Sequence, residues 1–315
     1  MELYKQKLNE WNTYFPPLTK QDDFEFFWQE ALEESKKIPL MAEDGKINYP
    51  IRQANVYKVI YRGMDGTPIH SYLLLPDTPK PHPCIIRFHG YGGSKGSPAQ
   101  YMHWLIQGYA VLAVDCRGHG ETGDSASYSR GHAGSWATMG LGNKREYYYF
   151  RVYTDAIRAV DFIMNHPAID PNRVAVMGAS FGGGISLAIA ALDERPCLFI
   201  ADVPNMCHIE LALEQKLEGS LTYIESYLNK YPDRTDKVLT ALSYFDHLNF
   251  ADRIKRHIRI SVSLKDVICP PLSVMAVYNR IQSQKSLLVY PYSGHDIAAH
   301  PQHVDSTIEW IAKHL

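Results

Sequence analysis

From residue 84 onward the chain is punctuated by short, nearly continuous apolar runs. They are Cys84-Ile-Ile-Arg-Phe88, Ala110-Val-Leu-Ala-Val114, Val174-Ala-Val-Met177, Leu198-Phe-Ile-Ala201, Ile258-Arg-Ile-Ser-Val262 and Leu287-Leu-Val-Tyr290. Each ends at a glycine or a polar cluster and is followed by a helix-like segment, notably over 155–164 and 183–191. Runs that are apolar on both faces belong to strands buried between two layers, as in a parallel sheet. Their alternation with helices predicts an α/β fold: a mostly parallel, doubly wound sheet with helices on both faces.

The amino-terminal part is patterned differently. Phe24, Phe27, Trp28 and Leu32 recur at helical spacing behind Asp22 and Asp23, which predicts an amphipathic helix over 22–38 within a helical extension of about 1–45. Tyr57, Val59 and Tyr61, then Ile69, Tyr72 and Leu74, alternate on either side of the turn-prone Met64-Asp-Gly66, predicting an antiparallel hairpin. The stretch 206–250 is helix-rich and falls between two strand-like runs, so it is expected as a helical insertion over the carboxyl edge of the sheet. With no repeats or low-complexity tracts, 1–315 is expected to be a single domain.

Composition narrows the class. The 315 residues are 45 % hydrophobic and 21 % charged, ordinary for a chain with a buried core. Lys+Arg 32 against Asp+Glu 34 gives a net charge of −2 with no basic run, so no nucleic acid is expected as a partner. Five cysteines without C-x-x-C spacing fit a reducing compartment. The leading MELYKQKLNEW lacks the apolar core of a signal peptide, and nothing approaches a bilayer-spanning run. The expectation is a cytoplasmic protein with no membrane partner.

The chemistry concentrates after the third apolar run. Val174–Met177 leads into Gly178-Ala179-Ser180-Phe181-Gly182 and then a helix, the order strand, Gly-x-Ser-x-Gly, helix. Such a serine sits on a sharp turn that lifts its hydroxyl clear of the sheet, and the small neighbours avoid clashes there. Gly92-Gly93-Ser94-Lys95-Gly96 matches the same pattern, but it lies past its strand and leads to Pro98, so Ser94 is expected in a plain loop.

A serine hydroxyl needs a base, and the base needs an orienting carboxylate. Asp266 follows the fifth apolar run and His295 the sixth, both just beyond strand carboxyl ends and in the order serine, acid, histidine. Asp202 and Asp296 compete as the acid, and His89, His119, His132 and His300 as the base. His89 and His119 precede the serine and are expected to structure loops. The 14 histidines show no metal-binding spacing, so neither a metal site nor a cofactor is expected. For the oxyanion, the Phe181 N–H at a helix start is one donor, and Tyr91 in the glycine-rich Phe88-His89-Gly90-Tyr91-Gly92-Gly93 is proposed as the second.

With these residues in place, the sequence resembles carbohydrate esterase family 7, the acetyl xylan esterase and cephalosporin C deacetylase group of the α/β-hydrolase superfamily. DFEFFWQEAL, RFHGYGG, the Asp115-Cys116-Arg117-Gly118 turn, RGHAGSWATMG, YYYFRVYTDAIRAVDFI, GASFGGG, ADVPNMCHI, SLKDVICPP and YSGHD carry the resemblance over most of the chain. It implies an α/β-hydrolase fold and a serine esterase acting on small O-acetylated substrates. It also implies Ser180, Asp266 and His295 as the triad, the Tyr91 and Phe181 amides as the oxyanion hole, and Arg117 with His119 as loop support. The implied assembly is a homo-hexamer.

Three positions depart from the family pattern: Arg-Gly-Gln reads Arg117-Gly118-His119, Gly-x-Ser-Gln-Gly reads GASFG, and His-Glu reads His295-Asp296. His119 thereby offers a pH-sensitive loop support. A broad carboxylesterase, a serine peptidase on the same scaffold and a catalytically silent binding module remain alternatives.

Overall fold

The computed structural model describes residues 2–129, 134–215 and 218–315. Its strands are β1 (Glu43–Ile47), β2 (Ala54–Arg62), β3 (Pro68–Pro76), β4 (His82–Phe88), β5 (Ala110–Val114), β6 (Ile169–Ala179), β7 (Leu198–Asp202), β8 (His257–Ser263) and β9 (Lys285–Tyr290). They form one sheet in the order β1-β2-β3-β5-β4-β6-β7-β8-β9. From β5 to β9 every pairing is parallel. β1, β2 and β3 extend the sheet by antiparallel pairing. The six apolar runs all lie in the parallel part, and β5 and β7 are buried along their whole length, as two-sided packing requires.

The expected hairpin is β2 and β3, closed where the Gly63 N–H donates to the Thr67 carbonyl at 2.8 Å. The structure adds β1 beside it, so the expected helical extension ends before a third antiparallel strand. The β1 sequence Glu-Asp-Gly-Lys-Ile carries no alternation and is exposed at Glu43, Asp44, Gly45 and Lys46. Its pairing comes from backbone hydrogen bonds on an edge, which leave no hydrophobic trace.

The helices are α1 (Glu2–Trp11), α2 (Phe24–Lys37), α3 (Met102–Leu105), α4 (Tyr148–Met164), α5 (Phe181–Leu192), α6 (Ile209–Glu214), α7 (Leu221–Lys230), α8 (Thr235–Leu242), α9 (Pro271–Arg280) and α10 (Pro301–His314). One face of the sheet carries the larger apolar cluster, with α2, α4, α5 and α9. The other carries a smaller cluster that includes Trp104, Tyr109 and Ile311. The sheet is therefore doubly wound, and α5, buried at every residue, is sandwiched deepest.

The helices α6, α7 and α8 fall between β7 and β8, where the insertion was expected. Its far end anchors α2: the buried Trp28 indole donates to the Tyr244 carbonyl at 3.0 Å, and the ring packs on Phe245 and Phe250. The buried Arg158 of α4 caps the end of α2, donating to the Ser35, Ile38 and Pro39 carbonyls at 2.9, 3.2 and 2.8 Å. The Ser35 carbonyl also accepts the Ile38 N–H at 3.2 Å, and the guanidinium satisfies the remaining acceptor capacity at this helix end, as water does elsewhere.

Candidate active site

Ser180 sits between β6 and α5 with φ 56° and ψ −116°. A non-glycine residue in this conformation is strained, and the strain is held by neighbours on both sides. The Ser180 N–H donates to the Asp202 carbonyl at 2.8 Å, and its carbonyl accepts from Gly184 and Asn205 at 2.9 and 3.1 Å. The elbow needs glycine for space as well as for turning. A Cβ on Gly182 would stand 2.3 Å from the Phe88 carbonyl oxygen, and one on Gly178 would meet the Gly182 backbone at 2.4 Å.

His295 and Asp266 extend from the strands that follow. The His295 Nδ1 is 2.8 Å from Asp266 Oδ2. The other carboxylate oxygen, Oδ1, accepts the Ile268 and Cys269 backbone N–H groups, each at 2.9 Å. Asp266 is thus buried and oriented by its own loop, and His295 stays partly exposed beside the opening. Ser180, His295 and Tyr91 line one cavity of about 370 Å³.

The rival residues have other partners or places. Asp202 lies 3.0 Å from His303 Nε2, whose Nδ1 meets the Tyr290 hydroxyl at 2.8 Å, so this second His–Asp pair braces β7 and β9 against α10. Asp296 and His300 are exposed, and His132 lies outside the described residues. Ser94 accepts the Gly96 N–H at 3.2 Å in a loop pinned by the Lys95–Asp115 ion pair at 2.5 Å. His89 is wired into the backbone: its Nδ1 donates to the Gly90 carbonyl at 2.7 Å, and its Nε2 accepts the Cys116 N–H at 3.0 Å. Burial drives the His89 pKa down to about 4, with the Gly90 bond opposing and nearby His119 adding, so the ring is neutral at pH 7.

The loop carrying Tyr91 is fixed by that imidazole and by the side chain of Tyr91 itself. Its hydroxyl meets the Ser135 hydroxyl at 2.5 Å and accepts the Ala137 N–H at 3.2 Å. As the first residue of α5, Phe181 has no intrahelical acceptor for its N–H. The Phe181 ring is fully buried and stacks on His119, with centroids 5.5 Å apart. His119 also lies 4.2 Å from the Trp136 ring and bonds the Arg117 carbonyl at 2.9 Å. The two departures from the family pattern, at 119 and 181, are therefore in contact and form one aromatic stack beneath the Tyr91 loop. Burial holds the His119 pKa below the usual imidazole value, against the Arg117 carbonyl bond.

Arg117 is a buried hub. It donates to Asp155 at 2.9 and 3.1 Å, to Asp65 at 2.8 and 3.0 Å, to Asp124 at 2.9 Å and to Thr67 at 2.7 Å. Its guanidinium fork ties the β2–β3 turn, the loop after β5 and α4 together.

The residues that the sequence reading missed are those closing the cavity: Leu221, Ile268, Cys269 and Asn205. Cys269 shares the lining of this cavity with Ser180. Burial and the Asp266 charge push the Cys269 thiol up, so it remains protonated and is a wall, not a rival nucleophile. Its place three residues after Asp266 was the available signal. Among the described residues no group of His, Cys, Asp or Glu is arranged to hold a metal ion, and no helix is long and apolar enough to cross a membrane.

A serine elbow after one parallel strand and a His–Asp pair after the next strands, on a sheet of this order, define an α/β hydrolase. The chain matches the acetyl xylan esterase (AXE1) family model over residues 1–314 and belongs to that family, a group of carboxylic ester hydrolases.

Among solved structures it is similar to an acetyl xylan esterase from Paenibacillus sp. R4, with TM-score 0.94, 36 % identity and coverage of 98 % of this chain and 99 % of that one. It is also similar to acetyl xylan esterase 1 from Thermoanaerobacterium sp. JW/SL YS485, with TM-score 0.92, 29 % identity and coverage of 97 % and 98 %. The acetyl esterase Axe7A of Xylanibacter ruminicola is 26 % identical over 287 residues, 89 % of this chain. The chain spans 64 % of the length of that relative.

Proposed function

We propose that this protein is a serine esterase that removes acetyl groups from small O-acetylated substrates, such as acetylated xylo-oligosaccharides and cephalosporin C-like acetyl esters. The observation that carries the reading is the His295–Asp266 pair, 2.8 Å apart, facing the same cavity as the strained Ser180 elbow in a member of the acetyl xylan esterase family.

Ser180 Oγ attacks the acetyl carbonyl and gives its proton to His295 Nε2, while Asp266 holds Nδ1–H and stabilises the imidazolium. The tetrahedral oxyanion is met by the Tyr91 and Phe181 backbone N–H groups. His295 returns the proton to the departing alcohol, leaving an acetyl-serine. Water then gives a proton to His295 and attacks the acyl carbon, and acetate leaves as Ser180 is reprotonated. The chemistry closes on side chains and water, without a cofactor.

The reading extends to a single domain built on one sheet, to a cytoplasmic setting supported by five unpaired thiols, and to a homo-oligomer, a hexamer by family resemblance. Acetate release from acetylated xylo-oligosaccharides by the intact chain and by Ser180→Ala tests the activity. Release that disappears in the variant supports it, whereas release that persists, or hydrolysis of aminoacyl amides in preference to acetyl esters, contradicts it.

A further inference from the structure

The cavity that holds Ser180 has a thin back wall. Leu221, Cys269 and Asn205 line it, and the same three residues also line a small adjoining void of about 10 Å³. That volume is about one water-sized sphere, so the void by itself admits no acyl chain. Its remaining boundary is largely apolar, including Met206, Ala212 and Val274.

The wall is built from two separate parts of the chain. Leu221 opens α7, and Cys269 follows Asp266 in the loop after β8. The two meet because the Glu218 N–H donates to the Val267 carbonyl at 2.9 Å, strapping the approach to α7 onto the Asp266 loop. Both side chains are 4 % exposed. Asn205 is tied separately, its amide donating to the Tyr149 hydroxyl at 3.0 Å.

The tetrahedral carbon formed in the proposed reaction has four substituents, and three directions are already assigned. One bond runs to Ser180 Oγ, the oxyanion faces the Tyr91 and Phe181 amides, and the leaving alcohol faces His295. The acyl group takes the fourth direction. Ser180, Leu221 and Cys269 line the same cavity, and that wall is the one assigned to the acyl group.

We infer that Leu221 and Cys269 form the end wall of the acyl pocket and restrict it to acetyl, with the void behind them as the unused continuation of that pocket. The inference rests on the esterase reading above. An acetyl methyl stops in front of the wall, whereas a butyryl chain must pass through it. Shortening Leu221 joins the pocket to the void and lets the longer chain lie along an apolar channel. Shortening Cys269 removes a smaller volume and opens it less.

The test is the ratio of kcat/KM for p-nitrophenyl butyrate to that for p-nitrophenyl acetate in the unaltered protein, Leu221→Ala and Cys269→Ala. A methylene admitted to or refused by an apolar pocket is worth about 10-fold or more, so the ratio should rise at least about tenfold in Leu221→Ala and by less in Cys269→Ala. An unchanged ratio in both variants overturns the wall while leaving the esterase reading intact, as does an unaltered protein that already turns over butyrate as fast as acetate. Failure of the unaltered protein to hydrolyse either ester overturns the esterase reading, and the wall with it. Because emptying a buried leucine site can unfold a protein, Leu221→Val and the relative rates of labelling by methyl- and butyl-fluorophosphonates provide a second readout. The butyl-to-methyl labelling ratio rises if the wall limits chain length and stays constant if it does not.

Discussion

Asp266 faces His295 with one oxygen and its own loop with the other: Oδ2 is 2.8 Å from the imidazole, while Oδ1 accepts two backbone N–H groups. The carboxylate therefore cannot rotate without losing donors. In Asp266→Asn the carbonyl oxygen keeps those two bonds, so the amide N–H turns to His295 Nδ1 and makes it an acceptor. The proton then sits on Nε2, the atom that must accept from Ser180. A fall in kcat of about 10⁴-fold is expected, with an unchanged far-UV spectrum, while Asp296→Asn stays within a few-fold of the parent. Equal losses in the two variants would show that the orienting carboxylate has been misassigned.

Arg117 is surrounded by Asp65, Asp124 and Asp155. Arg117→Met leaves the buried Asp155 carboxylate without its cation, and a loss of about 3–5 kcal/mol is expected in denaturant unfolding. Arg117→Lys recovers only part of this, because a single ammonium cannot replace the fork. The cluster also sets an acid limit. Burial works against the Asp65 charge, but the Arg117 hydrogen bonds and charge outweigh it and hold the carboxyl at about 2. Its contribution, about 1 kcal/mol after solvent screening, is complete above the ordinary value near 4 and disappears as pH falls through 2. Arg117→Met should lack that acid step.

The neutral His89 links the Tyr91 loop to Cys116, and its pKa is held down at about 4. The unfolded chain takes up this proton near pH 6.5 and the folded one near 4, so stability is full above 6.5 and declines as pH falls toward 4. Between pH 7 and 5, unfolding free energy should drop by about 2 kcal/mol more in the parent than in His89→Gln. Parallel curves from urea titrations at the two pH values would contradict a buried neutral imidazole.

Gly182→Ala places a methyl 2.3 Å from a β4 carbonyl, and neither backbone can yield. The expected cost is about 1–3 kcal/mol or more, with most of the activity lost as the elbow shifts. Gly294→Ala, next to His295, is the matched control, because its Cβ meets nothing within 4 Å and its φ is −90°. Thermal melts of both, read beside ester turnover, separate crowding at the elbow from a general intolerance of alanine.

How much of this was legible depended on how local the signal was. The six apolar runs became β4 to β9 because two-sided burial writes itself directly into composition. Ser180 stood out from Ser94 because its motif joins a strand to an apolar helix without a gap. Asp266 and His295 were legible as a carboxylate and an imidazole shortly past two strand ends, in the chain order that the serine requires.

By contrast, Arg117 meets carboxylates at 65, 124 and 155, and no periodicity links those positions. The pairing of Asp202 with His303 and the closing of the cavity by Leu221 and Cys269 are likewise long-range. The edge strand β1 was hidden because its polar side chains reflect its exposure and not its pairing.

An acetyl group carried by Ser180 is the direct mark of this chemistry. Acid-quenching the reaction with an acetyl ester during turnover and mapping the peptides by mass spectrometry measures it. The predicted result is acetylation of the peptide spanning Gly178–Gly182, located on Ser180 and absent from Ser180→Ala. Acetylation at Ser94 or Cys269 instead, or undiminished acetate release by Ser180→Ala, would contradict it.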